Sequence, residues 1–392
     1  MNARIKRRGD IQAPEELYEN LPTGVEAEQD EEGADAISKP YDPTEIRVDP
    51  KMYSLRNILD MIDEKDLDLA PDFQRLKVWK AKQKSRLIES ILLRIPLPAF
   101  YFSSDESGKL QVVDGVQRLT TIHDFVRGGQ DGKSHFELTD LEYLQEELSG
   151  KSFEDIEKTS WAKRLYSTQI VANVIDPQTP AAVKFDIFRR INTGGTPLTA
   201  QEIRHCMSGE KSRSLLKRLS TSSEFDKATG GKLSGHLRMA DREMVLRVLS
   251  FRIDKGFETT KDLSSLDQLL NGATDQIDNH LSSSRLTRLE EDFVGAMRIA
   301  KKLFGDHAFR KWPPGTEWRF PINKALFEVW GVLLADYSWD NLSNAKEKII
   351  KSFRELFDED DFFVQSISSG TGDPKKISYR FAVIRKLLSD HL

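Results

Sequence analysis

The stretch Leu110–Phe125 constrains this chain most, because a short apolar strand passes through an Asp-Gly turn at 114–115 directly into a helix. The helix is predicted by apolar residues at three- and four-residue intervals, namely Leu119, Ile122 and Val126. The first backbone N–H groups of a helix have no partner within it, and the helix dipole places partial positive charge there. Such a turn is therefore a ready site for a phosphate group.

The first turn of this helix also contains Gln117 and Arg118, and an arginine there opposes the dipole at a cost of about 0.3–1 kcal/mol. A charge-assisted bond from Arg118 to a phosphate would contribute roughly 1.5–3 kcal/mol and so outweigh that cost. We therefore hypothesise that Gly115 allows close backbone approach, that Arg118 contacts phosphate, and that Asp114 binds Mg²⁺ or orients water. The alternative, which the spacing alone favours, is an ordinary turn in which Asp114 caps the helix.

Composition indicates a globular chain of more than one domain. Its 392 residues exceed the usual size of one domain, and 38% hydrophobic residues supply a sizeable core. The net charge of −5 argues against a protein whose whole surface binds nucleic acid, but it is compatible with a local basic groove. A single cysteine, Cys206, excludes an internal disulfide and fits a reducing compartment. No apolar run approaches the roughly 18 residues of a membrane-spanning helix, so we expect a cytoplasmic protein that does not bind membranes.

The pattern of the chain predicts three parts. Residues 1–50 are predicted to be a disordered charged tail, since residues 26–35 carry six carboxylates and no Lys or Arg. A partner-binding arm is the alternative for this segment. Residues 51–205 mix strand-like and helical segments, and residues 206–392 are helical almost throughout. The predicted fold class is therefore α+β, a small mixed sheet with its helices followed by an all-α helical domain.

Local signals predict individual elements. Ser54 is expected to cap a first helix, Thr179-Pro180 to start another, and Thr199 to Glu202 to form a capping box for the next. Further helices are predicted over 80–93, 239–253, 284–304, 321–337, 343–357 and 377–389, and strands over 99–102 and 166–175.

Two further segments carry polar residues suited to a nucleotide site. Gln74 and Arg75 lie in a segment that Pro71 keeps out of a helix. Arg189 lies one turn before the glycine-rich turn Asn192–Gly195. Taken separately, Arg75 would form a surface salt bridge, and the second segment would be an ordinary helix end whose basic residues complement the dipole.

Three motifs in this order resemble the N-terminal domain of the GmrSD-type modification-dependent restriction endonucleases: Phe73–Arg75 with Trp79, Val112–Thr121 and Phe188–Thr199. The resemblance extends over roughly residues 54–251. It implies a fold like that of ParB and sulfiredoxin, whose small sheet carries a nucleotide-phosphate site at the turn that corresponds to Gly115–Arg118. Several members of the family look able to bind or hydrolyse nucleoside triphosphate in defence against phage DNA.

The resemblance implies a site for a nucleoside triphosphate (GTP, ATP or CTP) together with Mg²⁺. The nucleotide-binding residues that it implies are Gln74, Arg75, Gly115, Thr120, Thr121, Arg189, Asn192 and Gly194. The catalytic residues that it implies are Asp114, Gln117 and Arg118, and Asp114 is also the expected Mg²⁺ ligand.

The chain departs from the family pattern at two points. The usual motif is Asp-Gly-Gln-Gln-Arg, and Val116 replaces its first Gln, so binding is expected to survive while hydrolysis is left open. Restriction members also continue into a His-Asn-His nuclease, whereas the seven histidines here are scattered and no Cys/His zinc spacing occurs. We therefore expect a module without its own nuclease, acting with DNA and a separate effector or nuclease protein.

Two alternatives remain open at this stage. One is a non-enzymatic DNA-binding or regulatory subunit, whose candidate phosphate contacts are Arg189, Arg190, Lys211, Arg213, Lys217 and Arg218. Its affinity would fall steeply with salt and ignore added nucleotide. The other is a toxin-like effector that acts on nucleotides.

Overall fold

The structure, a computed structural model, describes residues 13–18, 21–28, 46–69, 79–105, 107–128, 136–191, 198–231, 233–236, 238–254 and 265–392. The chain forms two compact units. We call residues 39–207 the sheet unit, and residues 208–392 together with residues 1–38 the helical unit.

The N-terminal segment contributes an antiparallel pair of strands to the helical unit, β1 (Glu15–Tyr18) and β2 (Leu21–Glu26). The Val25 side chain is fully buried in the helical core, and the Glu26 amide donates to the Ile322 carbonyl at 2.8 Å. The predicted disordered tail is therefore wrong for residues 13–18 and 21–28. Backbone pairing and the burial of Val25 offset the entropy of ordering an acidic segment.

The sheet unit is built on one mixed five-stranded sheet in the order β3-β7-β5-β6-β4. Its strands are β3 (Val48–Ser54), β4 (Leu67–Asp68), β5 (Phe100–Ser104), β6 (Leu110–Asp114) and β7 (Gln169–Ile175). β5 runs parallel to β7 and antiparallel to β6, while β4 adds to the far edge of β6 in parallel. The predicted strand over 166–175 begins later than expected, because residues 160–167 are helical.

Eight helices of the sheet unit surround this sheet in the described residues: α1 (Leu55–Asp63), α2 (Ala81–Leu92), α3 (Val116–Arg127), α4 (Gln145–Leu148), α5 (Phe153–Ile156), α6 (Ser160–Ser167), α7 (Ala181–Ile191) and α8 (Ala200–Met207). The predicted caps at Ser54 and Thr199 are confirmed, while the Thr179 hydroxyl contacts the Arg47 backbone and its capping role stays a prediction. Ser54 Oγ accepts from the Asn57 amide at 3.2 Å. Thr199 Oγ1 accepts from the Glu202 amide at 3.1 Å, and Glu202 Oε2 accepts from the Thr199 amide at 2.7 Å.

The two faces of the sheet carry separate apolar clusters, because successive side chains of a strand point to opposite faces. Phe100 and Phe102 of β5 lie in the larger cluster, with the inward residues of α1, α2 and α3. Tyr101 of the same strand packs against the smaller cluster, which contains Val113 and Phe188. α7 and α8 therefore cover the face of β6 opposite to the one that α3 covers.

The helical unit contains α9 (Glu210–Ser220), α10 (Ser223–Thr229), α11 (Ala240–Ile253), α12 (Leu266–Asp275), α13 (Ser283–Phe304), α14 (Lys324–Leu333), α15 (Trp339–Ser343), α16 (Lys346–Glu359), α17 (Asp361–Ser366) and α18 (Pro374–Ser389). A π-helical turn, Gln276–His280, follows α12. α11 and α14 cross at the centre, where a Cβ on Gly331 would lie 2.6 Å from Val248 Cγ2.

These elements confirm the α+β class with a helical C-terminal region, and each of the C-terminal helices predicted from apolar spacing is present. The likeness to ParB and sulfiredoxin stays a prediction. Within the described ranges, no helix is both long enough and apolar enough to cross a membrane.

A buried carboxylate holds residues 142–144, just before α4, on the sheet unit. Glu89 of α2 is 3% exposed and accepts from the amides of Glu142, Tyr143 and Leu144 at 3.0, 2.7 and 2.8 Å. Burial by itself would raise the pKa of Glu89, but these backbone donors outweigh it and hold the pKa below its ordinary value. The bonds therefore stabilise the fold while Glu89 is ionised.

We expect Glu89→Gln to lower the free energy of unfolding by about 2–3 kcal/mol at neutral pH, because the neutral amide oxygen cannot replace an anion facing three donors. The depressed pKa means that the loss is complete above the unfolded pKa and shrinks as the pH falls through the folded pKa. Urea unfolding at several pH values would measure it. The control is Glu157→Gln at an exposed position, and a pH-independent difference between Glu89→Gln and wild type would contradict this assignment.

Candidate functional site

The turn between β6 and α3 is a place that only glycine fits. Gly115 has φ +101° and is the residue at which α3 begins. A Cβ built on it would lie 2.3 Å from Phe100 Cδ1, so any other side chain would both clash and strain the backbone. Gly115, and not Asp114, therefore caps the helix, and the first turn contains no acidic residue. The backbone amides of that turn begin the helix without a side-chain cap.

Arg118 turns back toward the strand instead of projecting from the helix. Its Nη2 donates to Asp114 Oδ2 at 2.9 Å and to the Ala99 carbonyl at 3.1 Å, and its Nη1 donates to the Pro98 carbonyl. The guanidinium also lies over the Phe100 ring, with Cζ 4.1 Å from the ring centroid. These partners compensate for the unfavourable position of Arg118 relative to the dipole, so an external anion is not needed for that purpose.

The electrostatics of this contact follow from its burial. The Arg118 side chain is 12% exposed, whereas Asp114 is 37% exposed. Burial lowers the pKa of Arg118 below its ordinary value, and the neighbouring Asp114 carboxylate opposes that change. An arginine in this state remains a cation, so it adds positive charge beside the helix terminus while it ties α3 to the start of β5.

The remaining motif residues on α3 have mixed roles. Thr121 is 1% exposed, and its hydroxyl donates to the Gln117 carbonyl at 2.7 Å, which is a local contact within the helix. Gln117 and Thr120 are half-buried. Val116 is 7% exposed and belongs to the larger apolar cluster, so the side chain at this position packs into the core.

The motif segment that contains Phe188 and Arg189 lies in α7, on the face of β6 opposite to α3. Phe188 of α7 packs with Val113, the residue before Asp114, and with Ile203 of α8. Arg189 is exposed and lies 3.6 Å from Asp186. The structure thus brings α7 to the end of β6. Four predicted site residues lie outside the described residues: Gln74, Arg75, Asn192 and Gly194.

The candidate DNA contacts are partly engaged within the protein. Lys211 Nζ donates to the Asp278 carbonyl at 3.0 Å, and Arg218 Nε donates to Glu290 Oε2 at 3.1 Å. Asp278 also accepts from the Gly209 and Ser212 amides at 2.7 and 2.8 Å, so a carboxylate of this protein occupies the N-terminus of α9. These contacts reduce the basic surface that α9 offers to a nucleic acid.

Sequence reasoning did not identify the contacts at the start of β5. The carbonyls of Pro98 and Ala99 hold the Arg118 guanidinium, and the Phe100 ring supports both Gly115 and Arg118. Backbone carbonyls carry no residue signature, so only the pairing of β5 with β6 could reveal them.

Among the described residues, Asp114 is the acidic side chain at the turn itself. Over the described parts of the chain, no group of three or more His, Cys, Asp or Glu side chains is placed to hold a metal ion. Mg²⁺ commonly binds through one or two carboxylates together with water and substrate phosphates. Asp114 fits the role of that single carboxylate, although one of its oxygens already accepts from Arg118.

Comparison with known protein families identifies the domain that contains this turn. Residues 55–207 match the family model of the GmrSD restriction endonuclease N-terminal domain, which confirms the resemblance over the sheet unit. The match begins at the first residue of α1 and ends at the last residue of α8, well before the predicted limit near residue 251. No curated protein sequence matches the chain.

We expect Arg118→Ala to lower the free energy of unfolding by about 2–3 kcal/mol, because it removes charge-assisted bonds to Asp114, Pro98 and Ala99. Arg118→Lys should recover less than half of the loss, since an ammonium lacks the planar fork. Urea unfolding and hydrogen exchange of the β5 amides would measure both. Arg127→Ala, an exposed ion pair at the other end of α3, is the control and should cost about 0.2–1 kcal/mol. If Arg118→Ala and Arg127→Ala lower the free energy of unfolding equally, the bonds of Arg118 do not stabilise the fold as we expect.

Proposed function

We propose that the sheet unit, whose residues 55–207 match the GmrSD N-terminal domain, is a nucleoside-triphosphate-binding module of a restriction-type defence system. The observation that carries the proposal is the start of α3. There, Gly115 at φ +101° opens a twelve-residue helix with no side-chain cap and no acidic residue in its first turn. The backbone N–H groups of this first turn and the helix dipole favour an anion in front of the helix N-terminus.

In this proposal the backbone amides of the first turn of α3 hold the phosphate groups. Gly115 holds the turn in the shape that aims these amides away from β6, since its φ of +101° and the Phe100 ring exclude a side chain there. Arg118 acts mainly as a positioning residue, because its described donors hold Asp114 and the start of β5. Its charge still contributes, since the guanidinium lies within the first turn and remains a cation.

Asp114 is the residue proposed to hold Mg²⁺. Asp114 is the last residue of β6, its side chain is 37% exposed, and its Oδ2 lies 2.9 Å from Arg118 Nη2, which fixes the orientation of the carboxylate. Bound Mg²⁺ would supply charge neutralisation to a polyphosphate. Asp114 also lies where a carboxylate could orient a water for hydrolysis, so phosphate release is worth measuring alongside binding.

The restriction-type context supports DNA and a separate effector or nuclease as partners. This part of the proposal rests on the family description and not on a described surface. A DNA-binding role for α9 is less supported, because Lys211 and Arg218 are engaged with Asp278 and Glu290.

We expect Gln117→Glu to separate nucleotide binding from stability. A carboxylate in the first turn of α3 interacts favourably with the helix dipole, by about 0.3–1 kcal/mol, yet repels a phosphate at the same place. Titration with ATP, GTP and CTP in Mg²⁺ should therefore show binding at least about tenfold weaker than wild type, with an unchanged or higher Tm.

The matched control is Gln83→Glu, which makes the same change in the first turn of α2. Gln83 Oε1 accepts from the Lys80 amide at 3.1 Å, a bond that a glutamate can also make. This variant should bind nucleotide as wild type does. If wild type, Gln117→Glu and Gln83→Glu bind nucleotide with equal affinity, the nucleotide does not bind at the N-terminus of α3. If wild type binds no nucleotide but binds DNA with a steep salt dependence, the module is a DNA-binding subunit instead.

A further inference from the structure

The N-terminal segment inserts two carboxylates into the helical unit. We call its described stretches, residues 13–18 and 21–28, the arm. Glu26 is 4% exposed, and it accepts from Lys311 Nζ at 2.6 Å and from Asn323 Nδ2 at 3.0 Å. Glu28 accepts from Arg247 Nη2 at 2.9 Å, from Thr371 Oγ1 at 2.7 Å and from Lys324 Nζ at 3.3 Å. Side chains that are distant in sequence thus contact Glu26 and Glu28, which are two positions apart in the arm.

The arm also adds to the helical unit as a strand does. Its Glu26 amide donates to the Ile322 carbonyl at 2.8 Å, and the Ile322 amide donates to the Gly24 carbonyl at 2.8 Å. Between these bonds, Val25 forms a parallel bridge with Ile322 and is completely buried. Main-chain bonds, one apolar anchor and charged side chains at set positions are the elements by which proteins recognise an extended peptide.

The arm contributes two carboxylates to a buried ion network. Among the described residues, Glu26 pairs with Lys311, and Glu28 pairs with Arg247 and Lys324. The helical unit adds Glu243 and Glu328, which also pair with Arg247. Because a buried cation is costly without an acidic neighbour, the site favours an occupant with carboxylates at the positions of Glu26 and Glu28.

The occupied site is not sealed. A crevice remains along the arm, lined by Glu26 and Glu28 on one side and by Asn323, Lys324 and Thr371 on the other. The Glu28 side chain is 25% exposed, and Leu17 and Leu21 of the arm are 63% and 69% exposed. The attachment is thus concentrated in residues 24–28, where main-chain bonds, the buried Val25 and the ion pairs of Glu26 and Glu28 act together.

We infer that the helical unit contains a receptor for an acidic peptide strand, and that the arm is its built-in, exchangeable ligand. The recognised pattern is a buried valine followed by glutamates one and three positions later, as in Val25, Glu26 and Glu28. The receptor consists of the Ile322 backbone with Lys311, Lys324 and Arg247. A peptide with the same pattern, supplied by another polypeptide, takes the place of the arm.

The full-length chain and a fluorescent peptide with the sequence of residues 13–28 test this inference by anisotropy. The wild-type chain should bind the peptide weakly, because its own arm competes at high effective concentration. The double variant Glu26→Gln/Glu28→Gln weakens that competitor and should bind the peptide at least tenfold more tightly than wild type. A peptide carrying the same two glutamines is the matched control and should bind the variant at least tenfold more weakly than the acidic peptide does.

Hydrogen exchange on the wild-type chain keeps the test decisive if the double variant does not fold. The amides of Glu26 and Ile322 should exchange faster than those of α11 and α14. If these amides exchange only when the whole protein unfolds, the arm does not detach from the folded helical unit, and the proposal is overturned. Equal binding of the acidic and glutamine peptides, or no binding to a folded variant, would overturn it as well.

Discussion

The candidate site depends on one contact, that of the Phe100 ring with the backbone of Gly115. The ring atom Cδ1 occupies the space where a Cβ would be, so the chain turns with φ +101° and β6 leads straight into α3. The same ring supports the Arg118 guanidinium at 4.1 Å. One aromatic side chain of β5 therefore determines both that residue 115 is a glycine and where the nearby cation lies.

Buried charge is the second constraint, and the two units satisfy it in different ways. In the sheet unit, Arg118 finds one carboxylate and two backbone carbonyls. In the helical unit, Arg247 and its neighbours require carboxylates from a segment more than two hundred residues away in sequence. Removing a charge from water is costly unless partners replace its hydration. An acidic stretch that would be disordered alone is therefore ordered by the cations that it neutralises.

Local signals predicted the elements whose formation depends on neighbours in sequence. The capping residues Ser54 and Thr199 begin helices as expected, because a cap acts on amides two or three positions away. The strand, turn and helix around Gly115 were also predicted. The arm was not, because its order depends on Ile322, Lys311 and other residues distant in sequence. The contacts of Arg118 with Pro98 and Ala99 were not predicted, since its partners there are backbone carbonyls, and its contact with a phosphate stays a prediction.

The sequence by itself determined the α+β class, the helical C-terminal region, the glycine turn and the family resemblance of residues 55–207. These follow from apolar periodicity, capping chemistry and motif order, all of which act over short stretches. Only the tertiary structure decided where the charged side chains find partners: Arg118 on the start of β5, and Glu26 and Glu28 within the helical unit. The physical reason is that long-range electrostatic pairing depends on which surfaces the fold brings together, and no local pattern encodes that.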